Sequence, residues 1–445
     1  MMLSLLFAHH ARQSWKCLQM SPVMVAAFSK PETGVPVWLA NQLLGKVEVN
    51  LRLCPGEPAL AKDSAALLVS LVDKHDKAAK LLHSSGLATV VRFLHTAAQC
   101  QAARRELAKG VILAATGHEH PDAKREFIKQ VVQPFVDRFN AIISREDFKQ
   151  ACHEEQLRLE ISDLLELFIG VSRGASASTA QPLFDTLRPV ITQLAPLLSV
   201  YSNYSHLVEL CLEFLSELTK RMLWFLDEAS GHTMYQTCLS VMQTYTYDHS
   251  GRRSVSQSAA EEDVFRDLLL VMEVLTSLLS KDLVDYNNSA EGTVSAVDVC
   301  LLGIRTIMPL MTADLLKFPA LCQQYYKMVC FAAEIYPERV SRLPDDQLAF
   351  LVSSVQMGLT EFGPDFTMDL ILQGQFNADA MDTYRQLVSD ILSSYPDATV
   401  RERLTSAFNN LTHNLEMLPN RQNTVKFREN FEKFASNVHG FLIVR

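Results

Sequence analysis

EEDVFRDLLLVMEVLTSLLSKDLVDY, residues Glu261 to Tyr286, is the run that decides the fold. Val264, Leu268, Val271, Leu275 and Leu278 recur at i, i+4, i+7, i+11 and i+14, which places them on one face of an α-helix. Leu269, Leu270, Met272 and Leu279 widen that face. A stripe this broad must be buried from more than one side, so the helix belongs inside a stack with neighbours before and after it. Val297 to Met311 and Pro319 to Tyr336 follow with similar lengths and short connections; Pro319 suits a first helical turn and Pro337 falls where a helix should stop. Long helix, short turn, long helix is the pattern of an αα-hairpin array rather than of a globular enzyme core.

Working outward, the same pattern extends in both directions. Val37 to about Leu53 reads as a helix, Pro55-Gly56-Glu57-Pro58 as a turn, and Ala59 to Val72 as the second arm of a HEAT-type hairpin. Further helices are expected at about 86–95, 97–116, 122–143 and 146–171, then over Pro182 to Leu198, His206 to Leu226 and Thr233 to Tyr247. Polar connections at Asp248 to Ala260 and Asn287 to Thr293 are expected to be exposed loops. Near the end, Phe427, Phe431, Phe434 and Val438 give a helix over about Asn423 to Gly440 one apolar face, as a capping element of a stack requires. Residues 1–36, with Ser21-Pro22 and Lys30-Pro31-Glu32-Thr33-Gly34 as turns, are set apart as an atypical segment; residues 37–445 are read as one all-α solenoid of HEAT-like hairpins.

Composition narrows the function. The chain has 445 residues, 48% of them hydrophobic and 20% charged, enough to build a large core. Only 16 glycines and 17 prolines occur, which disfavours an all-β fold with its many turns. A formal charge of −9 argues against nucleic acid as a partner and for basic ones. Nine cysteines without a C-x-x-C pair, among them Cys100, Cys211, Cys300 and Cys330 inside apolar patterns, read as small buried hydrophobes in a reducing compartment. Met1 to Ala8 lacks the basic start and cleavage site of a signal peptide, and no apolar run reaches the ~18 residues of a membrane span, so no membrane partner is expected.

One longer resemblance overlies these patterns. MPLMTADLLKFPALCQQYYKMVCFAAEIYPERVSRLPDDQ (Met308 to Gln347), the run quoted first, and MYQTCLSVMQTYTYDHSGRR (Met234 to Arg253) are similar to the exportin-4 family of nuclear transport receptors, within the importin-β superfamily. The resemblance extends from about Val37 onward and corresponds to the family's C-terminal part; the closing ASNVHGFLIVR resembles the family's own C-terminus. After Gly358 the pattern departs, through EFGPDFTMDLILQGQFNAD, and is rejoined near Tyr384. The resemblance implies a receptor that carries protein cargo through the nuclear pore with Ran-GTP, contacts nuclear pore proteins and shuttles between nucleus and cytoplasm. It implies hypusine-bearing translation factor 5A and Smad-type factors as cargoes, and no cofactor. Superfamily members engage Ran largely through N-terminal repeats, which have no counterpart here, so an N-terminally truncated form is expected. The alternative is a structural α-solenoid scaffold without Ran dependence.

Candidate chemistry is sparse, and no enzyme is expected. Gly170-Val171-Ser172-Arg173-Gly174 fits G-x-S-x-G, but the nucleophile elbow needs a buried strand before the serine, and Leu157, Ile161, Leu164, Leu165 and Phe168 have helical spacing. His118-Glu119-His120 offers two imidazoles at the wrong spacing for a helical zinc site, beside a helix-starting Pro121, and reads as a solvated turn. No metal or phosphate-binding loop is expected. Glu261, Glu262 and Asp263, and Asp345 and Asp346 after Pro344, open helices. Carboxylates there complement the helix dipole; alternatively they border an acidic surface for a basic cargo or for Ran.

Overall fold

A computed structural model describes residues 35–54, 56–96, 103–249, 265–285, 295–316, 318–340, 342–361 and 398–411, with isolated positions at 389, 392, 430, 433 and 434. Among these residues the regular structure is helical, with no strand. The chain divides into two compact units, 1–302 and 303–445. The all-α solenoid expected from the helical spacing is what forms.

In the first unit the helices are α1 (Val35–Leu53), α2 (Pro58–Val72), α3 (His75–Leu81), α4 (Ser85–Thr96), α5 (Arg104–Ala114), α6 (Pro121–Ile143) and α7 (Phe148–Ala151). They continue with α8 (Glu155–Arg173), α9 (Ala180–Ile191), α10 (Leu194–Val200), α11 (Ser205–Arg221), α12 (Glu228–His249) and α13 (Arg266–Asp285). Then α14 (Ala296–Ile307) crosses the division between the units.

Two ladders run through the first unit. One is built from α1, α4, α6, α9 and α12, the other from α2, α5, α8, α11 and α13, each helix packing on the next of its own ladder. Contacts such as α1 with α2, α4 with α5 and α6 with α8 tie the ladders into hairpins. This is why α13 needs apolar residues on so much of its circumference: Leu268, Val271, Met272, Val274, Leu275, Leu278 and Leu279 are all fully buried. An edge-to-face and tilted series of rings, Phe139 to Phe168 at 6.0 Å and Phe168 to Phe214 at 5.8 Å, links α6, α8 and α11 through the core.

Three expected helices are broken, each for a local reason. The 146–171 helix is two, α7 and α8, because buried Ala151 and Cys152 are out of phase with Leu157 and Ile161 and the chain must turn to bury both sets. The 182–198 helix is also two: Pro196 cannot donate to the carbonyl four residues back, so the helix yields around Thr192 and Gln193. The 206–226 helix stops at Arg221 and gives way to a 3-10 turn at Leu223–Phe225. Helix α3 was not expected at all, since its seven residues bury only Ala78 and Leu81, too few for a period to show. Of the 97–116 helix, Arg104–Ala114 forms and 97–102 lies outside the described residues.

The second unit contains α15 (Ala313–Leu316), α16 (Pro319–Ile335), α17 (Pro337–Val340), α18 (Asp345–Glu361) and α19 (Ala398–Leu411). Pro319 and Pro337 both begin helices, and Tyr336 between them carries the break. Two buried tyrosines fix α16 to α18: the Tyr325 hydroxyl lies 2.9 Å from Ser354 Oγ, and the Tyr326 hydroxyl donates to the Ser354 carbonyl at 2.6 Å. Phe434 is buried against Phe408 of α19, with ring centroids 5.0 Å apart. Phe427, Phe431 and Val438, together with the loops at 250–260 and 287–293 and the departure after Gly358 from 362 onward, fall outside the described residues.

Candidate functional site

Charge in the first unit is concentrated on the second ladder, where α5, α8, α11 and α13 present one polar face. Its centre is Glu213 of α11, whose side chain is only 6% exposed. Arg105 of α5 donates to it through Nη1 at 2.6 Å and Nη2 at 3.2 Å, Arg173 of α8 at 2.8 Å and Arg266 of α13 at 3.2 Å. One buried carboxylate therefore collects guanidinium groups from three other helices. Two of those arginines hold a second acid: Arg105 bonds Glu166, and Arg173 Nε donates to Glu217 at 3.0 Å. Burial works to lower the Arg105 pKa, but Glu166 and Glu213 outweigh it and raise the group above its ordinary value. Further along, Lys220 and Ser216 both donate to Glu273 Oε2, at 2.7 and 2.9 Å.

The close approach that lets Arg105 reach these acids comes from two glycines. A Cβ on Gly170 would lie 2.4 Å from the Arg105 carbonyl oxygen, and one on Gly174 would lie 2.8 Å from the Lys109 carbonyl oxygen. Gly170 and Gly174, four apart on α8, are thus a flat seat for α5. Ser172 between them is fully buried and donates its hydroxyl to the Phe168 carbonyl at 2.9 Å. The G-x-S-x-G run is a helix-packing device, with no strand before it and no exposed nucleophile.

Beside this ladder a cleft of about 530 Å3 opens between α5, α8 and the start of α11. Arg104, Glu155, Arg158, Asp163, Glu166 and Tyr204 line it, together with Leu159, which is 54% exposed. Arg104 is paired with Asp163 at 2.7 Å. The Arg158 guanidinium lies over the Tyr204 ring at 4.5 Å, and the Tyr204 hydroxyl lies 3.3 Å from His153 Nδ1. Ser162 Oγ and His206 Nε2 are 3.2 Å apart, but the contact is exposed and no carboxylate orients the imidazole among the described residues. A flat cation-on-ring pair, a projecting leucine and fixed charges of both signs suit an amphipathic peptide segment better than a small substrate.

Of the acids singled out in the sequence, Asp345 and Asp346 lie among the described residues. Glu261, Glu262 and Asp263 lie outside the described residues. Asp345 and Asp346 are exposed in the first turn of α18, where they complement the helix dipole. The imidazoles of the 118–120 run part company: His118 folds back onto Phe127 at 5.3 Å, while His120 is exposed at the start of α6. Among the described residues no group of histidine, cysteine and carboxylate side chains could hold a metal ion. No described helix is long and apolar enough to cross a membrane. Cys211 and Cys300 are buried and Cys330 half-buried; burial pushes the Cys211 thiol up to about 12 and the Cys330 thiol to about 11, far from the range of a reactive thiolate. The Glu213 node and the cleft were missed because their members are spread from Arg104 to Glu273 and meet only through the stacking of four helices. Arginines and glutamates on the least apolar side of successive ladder helices were the one signal available.

Comparison with known proteins agrees with this architecture. The chain is 19% identical over 323 residues to a Dictyostelium discoideum protein described as Exportin-4; the match covers 71% of this chain and 27% of that protein. The chain therefore spans about a quarter of the length of that relative. The model of the Exportin-4 family matches residues 13–369, most of the sequence and nearly all of the helical ladder, and the chain belongs to the Exportin-4 family.

Proposed function

We propose that this chain serves as part of a nuclear export receptor of the exportin-4 kind, a non-enzymatic carrier that takes protein cargo through the nuclear pore together with Ran-GTP. The observation that carries the reading is the family match over residues 13–369, laid on a two-ladder helical stack. A stack of this kind suits carriage because small rotations between repeats sum along its length, so that one partner can alter the site of another. The family match begins at residue 13, within the segment set apart as atypical, and ends at residue 369. Hypusine-bearing translation factor 5A and Smad-type factors are the proposed cargoes, nuclear pore proteins the proposed transit contacts, and nucleus and cytoplasm the proposed locations.

The cleft beside α8 and α11 and the acidic runs Glu261 to Asp263 and Asp345 with Asp346 are the proposed partner-facing features. Net charge of −9 favours basic partners at such surfaces. The test is a titration of the immobilised chain with translation factor 5A bearing hypusine, with and without Ran held in its GTP form. The chain by itself should bind cargo with an affinity that Ran-GTP changes by less than tenfold, since coupling needs both sites on one stack. A larger increase places the Ran-responsive unit within these residues. Failure to bind cargo at all, by a folded chain, removes the cargo assignment.

A further inference from the structure

The cleft beside α8 holds a cation without a counter-ion. Glu155, Arg158, Leu159, Ser162, Asp163 and Glu166 recur at i, i+3, i+4, i+7, i+8 and i+11, so one stripe of α8 lines it. Much of the charge on that stripe is already matched: Asp163 pairs with Arg104 at 2.7 Å, and Glu166 pairs with Arg105. Arg158 differs. Among the described residues its guanidinium has no hydrogen bond and no ion pair, only the Tyr204 ring at 4.5 Å. Its Nε is covered against the protein, whereas the Nη nitrogens are unbonded and remain open to the cleft.

The ring that carries this guanidinium is itself fixed. Tyr204 packs on fully buried Tyr201 with ring centroids 6.1 Å apart and on His153 at 5.8 Å, and its hydroxyl lies 3.3 Å from His153 Nδ1. A guanidinium held flat on a fixed ring loses little freedom when it donates to an acceptor, and its planar fork matches the two oxygens of a carboxylate. Leu159, next in sequence and exposed, offers an apolar contact in the same cleft. Charge limits what can enter. Glu155, exposed and one turn before Arg158, has no ion pair among the described residues and repels a doubly charged group. The net charge of −9 repels a run of acids. One carboxylate in an otherwise neutral or basic segment meets neither obstacle.

We propose that the cleft binds a short segment of a partner protein that presents one side-chain carboxylate to Arg158 and a neighbouring aliphatic side chain to Leu159. The assignment rests on the cleft being partner-facing, as proposed above, and adds the chemistry it selects: a single negative charge beside an apolar group.

The test is a fluorescence-anisotropy titration of dye-labelled nonapeptides with the whole chain. The peptides have blocked ends and differ only in their central pair, which is glutamate-leucine, glutamine-leucine, phosphoserine-leucine or glutamate-serine. The glutamate-leucine peptide should bind saturably, and each of the others about tenfold more weakly. Arg158→Gln should weaken binding of the glutamate-leucine peptide about tenfold, and Arg158→Lys, which keeps the charge without the fork, about threefold. Leu159→Ser, at an exposed position that leaves the fold intact, should also weaken it about threefold. Arg125→Gln, exposed on α6 and outside the cleft, should change nothing. Absence of saturable binding by the glutamate-leucine peptide overturns the proposal. So does binding that survives both Arg158→Gln and Leu159→Ser unchanged, and so does equal binding of the glutamine-leucine or phosphoserine-leucine peptide. Titration of the native and Arg158→Gln chains with hypusine-bearing translation factor 5A keeps this proposal apart from the carrier function. Cargo bound equally by both chains, without peptide binding, removes the cleft assignment and leaves the carrier function standing; peptide bound by a native chain that ignores the cargo supports the cleft and removes the cargo assignment.

Discussion

Replacing Glu213 with alanine leaves Arg105, Arg173 and Arg266 without their shared acceptor. Removing one partner of a buried ion pair costs about 3–5 kcal/mol when the other charge is left uncompensated. Here Arg105 keeps Glu166 and Arg173 keeps Glu217, and the three arginine side chains are 24%, 28% and 48% exposed, so water can take up part of the loss. A cost of roughly 2–3 kcal/mol follows, and Glu213→Gln, which keeps the shape and one acceptor, should cost about half of that. A stacked array need not unfold in one step, so the effect is best read locally. Hydrogen exchange should accelerate in α5, α8, α11 and α13 and leave α1, α2 and α4 unchanged. Adding Arg173→Ala to Glu213→Ala should cost less than the sum of the two single changes, because both remove the same contact. A loss below about 0.5 kcal/mol, typical of an exposed pair, or exchange that rises evenly along the chain, would refute the view that this node clamps the ladder.

Gly170→Ala should destabilise by about 1–3 kcal/mol through the clash with the Arg105 backbone, measurable as a lower urea midpoint. Ser172→Ala, which removes only a hydroxyl bonded within its own helix, should stay within about 1 kcal/mol of the native chain in the same experiment. Asp227 accepts the Ser230 amide at 2.8 Å at the start of α12, and that bond holds its carboxyl below the usual carboxylate range. The stabilisation it gives is therefore present above the ordinary aspartate pKa and is lost as pH falls through the lowered one. Protection of the Ser230 amide, measured as its exchange rate relative to the intrinsic rate at the same pH, should fall on acidification, and Asp227→Ala should abolish that pH dependence.

The fold was legible because helical spacing is a local property. The stripe from Leu268 to Leu279 and the prolines at 319 and 337 could be read without knowing any neighbour, and each did what its position required. Where neighbours decide, the sequence was mute. The break at Cys152 depends on which side of each helix is covered, and the short α3 buries too little to leave a pattern. The G-x-S-x-G run shows the same limit at the level of a site: only the distance from Gly170 to the Arg105 backbone reveals that its glycines seat a helix. Asp345 and Asp346 were easy to notice because they are adjacent in sequence, whereas Arg105, Arg173, Glu213 and Arg266 are joined only by the stacking of four helices.

The proposal that this chain supplies part of a Ran-coupled export receptor is tested most directly by a chimera in which it replaces the matching region of the Dictyostelium discoideum relative. Cargo affinity is measured by titration with and without Ran held in its GTP form, at two salt concentrations. The account predicts that Ran-GTP raises cargo affinity at least tenfold, a coupling of ~1.4 kcal/mol, in the chimera as in the relative itself. A folded chimera that binds cargo equally with and without Ran-GTP, while the relative responds, contradicts it and leaves a helical scaffold without Ran dependence.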